Sequence, residues 1–149
     1  MARTKTIMLD IRRGGEMRVS GTVTASDEFV PGRIAEIDSN GAVVTPTNSS
    51  ITKGFVVEGK VANDSQQKLS LIIGKVVFSP YTDTDTNFSG KNSIASGVGT
   101  FTHGEAIYFK STGALTKVGA SPVGTRIVGY YDAVNSFVNG NIDSGSSNS

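Results

Sequence analysis

Short runs of apolar residues, separated by turn-forming residues, recur along most of the chain. In the segment 17–24 the apolar positions Met17, Val19 and Val23 alternate with polar ones, as on one face of a strand. No segment keeps the 3.6-residue apolar period of an amphipathic helix, and only 132–138 allows a helical turn. The pattern therefore predicts an all-β protein of about eight strands.

Two hairpins and one central strand are the clearest predicted elements. Asn40 and Gly41 lie between two short apolar runs, and Asn-Gly is the strongest short-range hairpin signal. A second hairpin is predicted over 105–118, which has a Ser-Thr-Gly turn at its middle. Leu69–Phe78 is among the most apolar segments and has polar residues on both sides. We therefore expect it to form a single central strand that is covered on both faces.

Three regions depart from this pattern and define the expected domain organisation. Residues 1–15 carry an excess of basic side chains and end in two glycines, which predicts an extended basic N-terminal arm. Residues 16–138 are expected to form a single β domain. Within this domain, 79–104 is far longer than an ordinary loop of about 12–15 residues and has few apolar residues, which predicts a long surface loop that contacts a partner or neighbouring subunit. Residues 139–149 are almost entirely polar and are expected to form a flexible C-terminal tail.

Composition agrees with the pattern and excludes several kinds of chemistry. Val, Ile and Thr far outnumber Leu and Met, and β-branched residues favour strands. The chain has no Cys, which excludes disulfides, thiolate catalysis and zinc-finger sites. A net charge of +1 gives no reason to expect nucleic acid or a membrane surface as partner. No run of 18 apolar residues and no secretory signal are found, so we expect synthesis in the cytoplasm.

One acidic segment resembles the start of a calcium-binding loop. Asp83, Asp85 and Asn87 place oxygen atoms at alternate positions. A helix–loop–helix calcium site needs Gly at its sixth position and Glu at its twelfth, where this chain has Phe88 and Ile94. We therefore predict no metal site and interpret this run as a solvated loop.

No combination of residues predicts catalysis. His103 is the only histidine, and nothing in the sequence brings a nucleophile and an orienting carboxylate to it. The Gly97-Val-Gly99 run lacks the third glycine and the following helix of a dinucleotide-binding loop. We expect no enzyme activity, no catalytic residues and no cofactor.

Candidate contact residues fall into two groups. The first combines basic and aliphatic side chains on the arm, where they could dock onto a partner: Arg3, Lys5, Ile7, Leu9, Ile11, Arg12 and Arg13. The second consists of aromatic residues expected at a subunit interface: Tyr81, Phe88, Tyr108 and Tyr130. Where two aromatic residues are adjacent on a strand, one should face the core and the other the opposite side.

The C-terminal part of the sequence resembles the capsid decoration (cement) proteins of tailed bacteriophages. The resemblance is carried by Gly-Glu-Ala-Ile-Tyr at 104–108, Gly-Ala-Leu-Thr at 113–116 and Val-Gly-Thr-Arg-Ile-Val-Gly at 123–129, with glycine-punctuated strands near 30–34 and 51–59. It implies a compact β-barrel, tulip-like or sandwich domain. Such proteins are commonly homotrimers that clamp neighbouring major capsid subunits on the outside of the head.

The resemblance leads to one functional expectation and two alternatives. We expect a structural virion protein on the capsid exterior whose partners are the major capsid protein and further copies of itself, with no nucleic-acid or membrane partner. A phage tail or baseplate component would share this composition. A carbohydrate-binding β-sandwich is the other alternative, in which exposed tyrosines and the 83–87 loop would form the binding site.

Overall fold

The computed structural model describes residues 7–120 and 122–142 and contains eleven strands in two antiparallel sheets. The predicted all-β class is confirmed. The described residues form no helix, and so none that could cross a membrane. The strands are β1 (Asp10–Gly14), β2 (Arg18–Thr22), β3 (Ile34–Ile37), β4 (Val43–Val44), β5 (Lys53–Val56), β6 (Lys68–Ile72), β7 (Gly74–Ser79), β8 (Ala106–Phe109), β9 (Leu115–Thr116), β10 (Gly129–Asp132) and β11 (Phe137–Ile142). Both predicted hairpins are present, as β3–β4 and β8–β9.

The five-stranded sheet, in the order β2-β6-β5-β3-β4, curls until its two outer strands meet. The backbone N–H of Thr22 donates to the carbonyl of Gly41 over 2.9 Å, and Thr22 forms a parallel bridge with Ala42. Gly21 makes this approach feasible, because a Cβ at that position would lie only 2.7 Å from Cγ2 of Val43. We call this curled sheet the barrel.

The six-stranded sheet, in the order β1-β7-β11-β10-β8-β9, packs against the outside of the barrel. Phe55 of the barrel meets Phe78 of the other sheet edge-to-face, with ring centroids 5.1 Å apart. Ile72, Ile107 and Val138 belong to the same buried cluster. Apolar burial of this kind is the main favourable contribution to the folding free energy, so this interface forms the principal core.

A second, smaller cluster fills the interior of the barrel. Adjacent residues on a strand point to opposite faces: Phe55 lies in the principal core, whereas its neighbour Val56 lies in the second cluster with Ala35, Val43 and Leu71. Strands β3 and β5 are therefore buried on both sides.

The single central strand predicted over 69–78 is wrong, because this segment forms two strands in different sheets. Gly74 has φ of 89°, a left-handed conformation that glycine adopts without steric cost. The chain turns there from β6, inside the barrel sheet, to β7, inside the six-stranded sheet. Each of the two strands lies between two neighbours in its sheet and is largely apolar. The glycine is therefore the only interruption of the apolar sequence pattern.

Both predicted chain ends need correction where the structure describes them. Residues 10–14 of the predicted arm form β1, an outer strand of the six-stranded sheet, and Leu9 is 4% exposed in the principal core. Residues 139–142 of the predicted tail belong to β11, which lies between β7 and β10. In this strand Gly140 and Ile142 face inward, while the flanking asparagines face outward. The tail prediction failed because this alternation contains little apolar surface.

The first residue of the predicted long loop 79–104 ends β7, and residues 80–104 form no strand but are packed against the body over much of their length. Phe88 and Phe101 are buried, and the N–H of Ala95 donates to the carbonyl of Leu115 over 2.9 Å. The segment around Ala95 thereby covers the outer edge of β9. The expectation of a loop lying only on the surface is thus wrong for these residues.

Candidate interaction surfaces

The aliphatic residues of the predicted arm stabilise the fold. Leu9 is buried, Ile11 packs against the principal core, and Ile7 is half-buried and accepts a hydrogen bond from the N–H of Gly59 over 2.9 Å. The expectation that these three side chains contact a partner is therefore not supported by their positions. Arg3 and Lys5 lie outside the described residues.

The two arginines of β1 differ in their surroundings. Arg12 forms an ion pair with Asp10 at 2.8 Å, and its guanidinium lies 5.3 Å from the ring centre of Phe137. Arg13 is exposed and forms no ion pair within the described residues. Of the two, Arg13 therefore offers the charge that is more readily available to a partner.

A row of exposed and half-buried residues crosses the outer face of the six-stranded sheet. Arg13 pairs with Val77, Val77 with Asn139, Asn139 with Tyr130, and Tyr130 with Ala106. Directly paired residues of neighbouring antiparallel strands point to the same face, and we call these five residues the outer row. A shallow groove of about 330 Å³ runs along the row, and Lys75 and Asn141 also line it.

The aromatic residues expected at a subunit interface have different positions. Phe88 is 0% exposed, packs edge-to-face on Tyr81, and leaves no room for a Cβ on Gly59. Its assignment to an exposed interface is wrong. Tyr108 and Tyr81 are half-buried, whereas Tyr130 is 51% exposed. Tyr131, the neighbour of Tyr130, instead stacks on Phe101 at 5.4 Å, so the predicted alternation of adjacent aromatics holds here.

Asp83 organises the loop that resembles a calcium site. Its carboxylate accepts hydrogen bonds from the N–H groups of Phe88 and Gly90 and from the hydroxyl of Tyr81, each at 2.9 Å. Burial by itself would raise the pKa of the Asp83 carboxyl, but these hydrogen bonds outweigh it and lower that pKa. Burial and the bond to Asp83 raise the pKa of Tyr81 to about 12. The described residues contain no group of three side chains able to hold a metal ion.

His103 lies shortly before β8 and contacts the exposed turn between β10 and β11. Its Nδ1 accepts a hydrogen bond from the N–H of Ala133 over 3.1 Å, and Oδ1 of Asp132 is 3.6 Å from the same atom. No hydroxyl group of the described residues hydrogen-bonds to the ring. The contacts of His103 are those of a residue that stabilises a turn.

Sequence reasoning missed two lysines that are fully buried in the barrel half of the molecule. The ammonium of Lys60 donates to the carbonyls of Ala25, Asp27 and Val61 at 3.0, 3.3 and 2.7 Å and pairs with Asp64 at 2.8 Å. A second buried pair joins Lys53 and Glu36 at 3.1 Å. Glu36, Ala25 and Asp27 lie far from these lysines in the sequence. The only sequence signal is the four-residue spacing of Lys60 and Asp64.

A basic cleft was missed as well, between the start of β3, the long loop and the β8–β9 turn. Two adjoining cavities of about 400 and 270 Å³ share Arg33, Lys91 and Thr112 in their walls, and Lys110 lines the second. Its cations are scattered over 77 positions of the sequence, so only the fold brings them together.

Comparison of the chain with models of known protein families, with curated proteins and with solved structures finds no match.

Proposed function

We propose that the protein is a non-enzymatic structural component of a phage virion that binds the outside of the head and links neighbouring major capsid subunits. The observation that carries the proposal is the outer row, which places an exposed tyrosine, an arginine and an asparagine on one broad sheet face. Tyr and Arg are the residue types most enriched among those that dominate protein interfaces. The resemblance of the C-terminal segment to cement proteins supports the same assignment.

The edge of this sheet adds a second kind of contact. β1 is an outer strand of the six-stranded sheet, and an outer strand presents unpaired backbone groups to which another chain can add. Arg13 on this strand would attract an acidic partner surface. We propose that a homotrimer presents several such faces at once, because avidity turns weak single contacts into stable attachment.

The test is binding of the purified protein to heads assembled without it, measured by cosedimentation and electron cryomicroscopy. Tyr130→Ala should weaken binding about thirtyfold, as expected for a central aromatic contact. Arg13→Glu should also weaken it, most strongly at low salt. Lys68→Glu is the matched control, because Lys68 is also exposed but lies on the barrel.

Three outcomes would contradict parts of the proposed capsid function. If Tyr130→Ala and Arg13→Glu both saturate heads at the wild-type concentration, the outer row does not bind the capsid. Density for the protein on the tail or baseplate of whole virions would favour the tail component instead. A two-fold dimer on the shell would contradict the trimer.

One observation favours a carbohydrate-binding function as the second candidate. Tyr130 shares its groove with Asn139 and Asn141, and an exposed ring beside amide groups suits the apolar face and hydroxyls of a sugar. A glycan array probed with and without calcium tests this. Binding that Tyr130→Ala abolishes, together with no attachment to heads, would replace the capsid proposal with this one.

A further inference from the structure

The basic cleft is built from three segments that hydrogen bonds hold together. The N–H of Ile34 donates to the carbonyl of Gly113 over 2.8 Å, which fixes the β8–β9 turn against β3. Nε of Arg33 donates to the carbonyl of Asn92 at 2.7 Å, and Lys91 pairs with Glu28 at 2.6 Å. These bonds fix the long loop on the other side of the cleft, so its walls are formed without a ligand.

The charge of the cleft is positive and incompletely neutralised. Arg33, Lys91 and Lys110 line the two cavities, and Glu28 is the only carboxylate among the lining residues. The cleft therefore carries a formal charge of about +2 at neutral pH. Lys110 is half-buried, and its ammonium makes no hydrogen bond or ion pair with the described residues.

The guanidinium of Arg33 is only partly hydrogen-bonded within the cleft. Its Nε donates to the carbonyl of Asn92, but its two terminal amino groups have no acceptor among the described residues. Burial lowers the pKa of this guanidinium, and the nearby Glu28 only partly opposes the effect. A planar guanidinium with a free end is suited to bind a carboxylate or a phosphate through two parallel hydrogen bonds.

The size and the walls of the cleft indicate more than a single bound ion. The cavities together greatly exceed the space of a small anion, since one water molecule occupies about 30 Å³. Phe29, Val30 and Ala95 contribute apolar wall, while Ser111 and Thr112 contribute hydroxyl groups. This mixture suits an anionic group on an aliphatic stem, flanked by backbone amides that the hydroxyls can bind.

We propose that the cleft binds an acidic segment of a partner protein, with a carboxylate of that segment held between Arg33 and Lys110. The inference does not depend on the function proposed above, since the cleft is separate from the outer row. An Asp or Glu side chain supplies both the planar anion and the aliphatic stem. The positive charge also attracts an acidic chain before contact, which speeds association at low salt.

The experiment is an NMR titration of the full-length protein with a capped hexaglutamate peptide. Hexaglutamine serves as the neutral control and inorganic phosphate as the free anion. We expect the peptide to shift amide resonances at 33–34, 91–96 and 110–114, with the shifts disappearing as salt is raised. Hexaglutamine should shift none of them.

Substitutions assign the binding to the cleft. Arg33→Gln and Lys110→Gln should each weaken hexaglutamate binding about tenfold, as expected for loss of one charge-assisted hydrogen bond. The Lys110 side chain makes no hydrogen bond within the described residues, so Lys110→Gln keeps the test valid if Arg33→Gln fails to fold. Lys68→Gln removes the same charge from the exposed side of the barrel, away from both the cleft and the outer row, and should leave the affinity unchanged.

Three results would overturn the inference. One is shifts spread over all basic surfaces, with Lys68→Gln weakening peptide binding as much as Lys110→Gln. Another is that phosphate binds as tightly as the peptide, because the cleft would then be a site for a free anion. The third is no shift at low salt. Hexaglutamate binding in the cleft by a protein that does not attach to heads would leave this inference intact and refute only the capsid function.

Discussion

The barrel and the six-stranded sheet use polar residues in opposite ways. The barrel half encloses two Lys–carboxylate pairs, and the side chains of Lys60 and Asp64 are 0% and 7% exposed. On the six-stranded sheet the comparable pair, Arg12 with Asp10, is 51% and 58% exposed. The buried charges of the barrel half therefore hold loops in place, whereas the charges of the six-stranded sheet are exposed to solvent.

The difference indicates which half is suited to meet a partner. Charges that are buried and fully hydrogen-bonded cannot be offered to another molecule without a large desolvation cost. The outer row keeps Arg13, Asn139 and Tyr130 accessible on a rigid sheet, which is where contact residues can be changed without unfolding the protein. Stability and binding should therefore respond to different substitutions.

The largest expected effect is the loss of the Lys60 ammonium. Lys60→Met should lower the free energy of unfolding by about 5 kcal/mol, because it leaves the buried Asp64 carboxylate without its cation and removes the donor of three carbonyls. Urea denaturation followed by circular dichroism measures this. Arg12→Gln, which breaks the exposed pair, should cost less than about 1 kcal/mol. Equal losses for the two variants would remove the distinction between the halves.

A smaller effect is expected from the aromatic residues of the two halves. Phe88→Ala should cost about 3 kcal/mol, because the ring is fully buried against Gly59 and Tyr81 and its removal leaves a cavity. Tyr130→Ala should change the unfolding midpoint little, since half of the ring is already in water. A destabilised Tyr130→Ala protein would mean that the outer row is part of the fold.

The smallest expected effect concerns acid. The pKa of Asp83 is lower in the folded protein than in the unfolded chain, so its stabilising contribution is present above the ordinary value of 3.8 and is lost as pH falls through the folded pKa. Asp83→Asn should cost about 1 kcal/mol at pH 7, through weakened bonds to Phe88 and Gly90. The difference from wild type should shrink below about pH 4, as measured by denaturation at several pH values.

Asp132 is the matched carboxylate on the six-stranded sheet. Hydrogen bonds from Asn135 lower its pKa too, but it lies at an exposed turn that holds no core residue in place. Asp132→Asn should therefore shift the midpoint less than Asp83→Asn at pH 7. A larger shift would show that the β10–β11 turn contributes more to stability than the long loop 79–104.

Local pattern was sufficient for the fold class and for both hairpins. The β-branched composition, the Asn40-Gly41 turn and the apolar alternation act over a few residues, and a strand or a tight turn depends on the same few residues. The opposite orientation of Tyr130 and Tyr131 also follows from the two-residue period of a strand. These features required no knowledge of which strands pair.

Everything that depended on distant segments was decided by the tertiary structure. Neither the turn from one sheet to the other at Gly74 nor the burial of Phe88 can be read from neighbouring residues. The same holds for the joining of Arg33 and Lys110 in one cleft, since residues 77 positions apart meet only through strand pairing. The sequence by itself therefore determined that this chain forms strands and where several of them turn. Only the packing of two sheets decided which charges are enclosed and which remain available, because burial is a property of the whole fold.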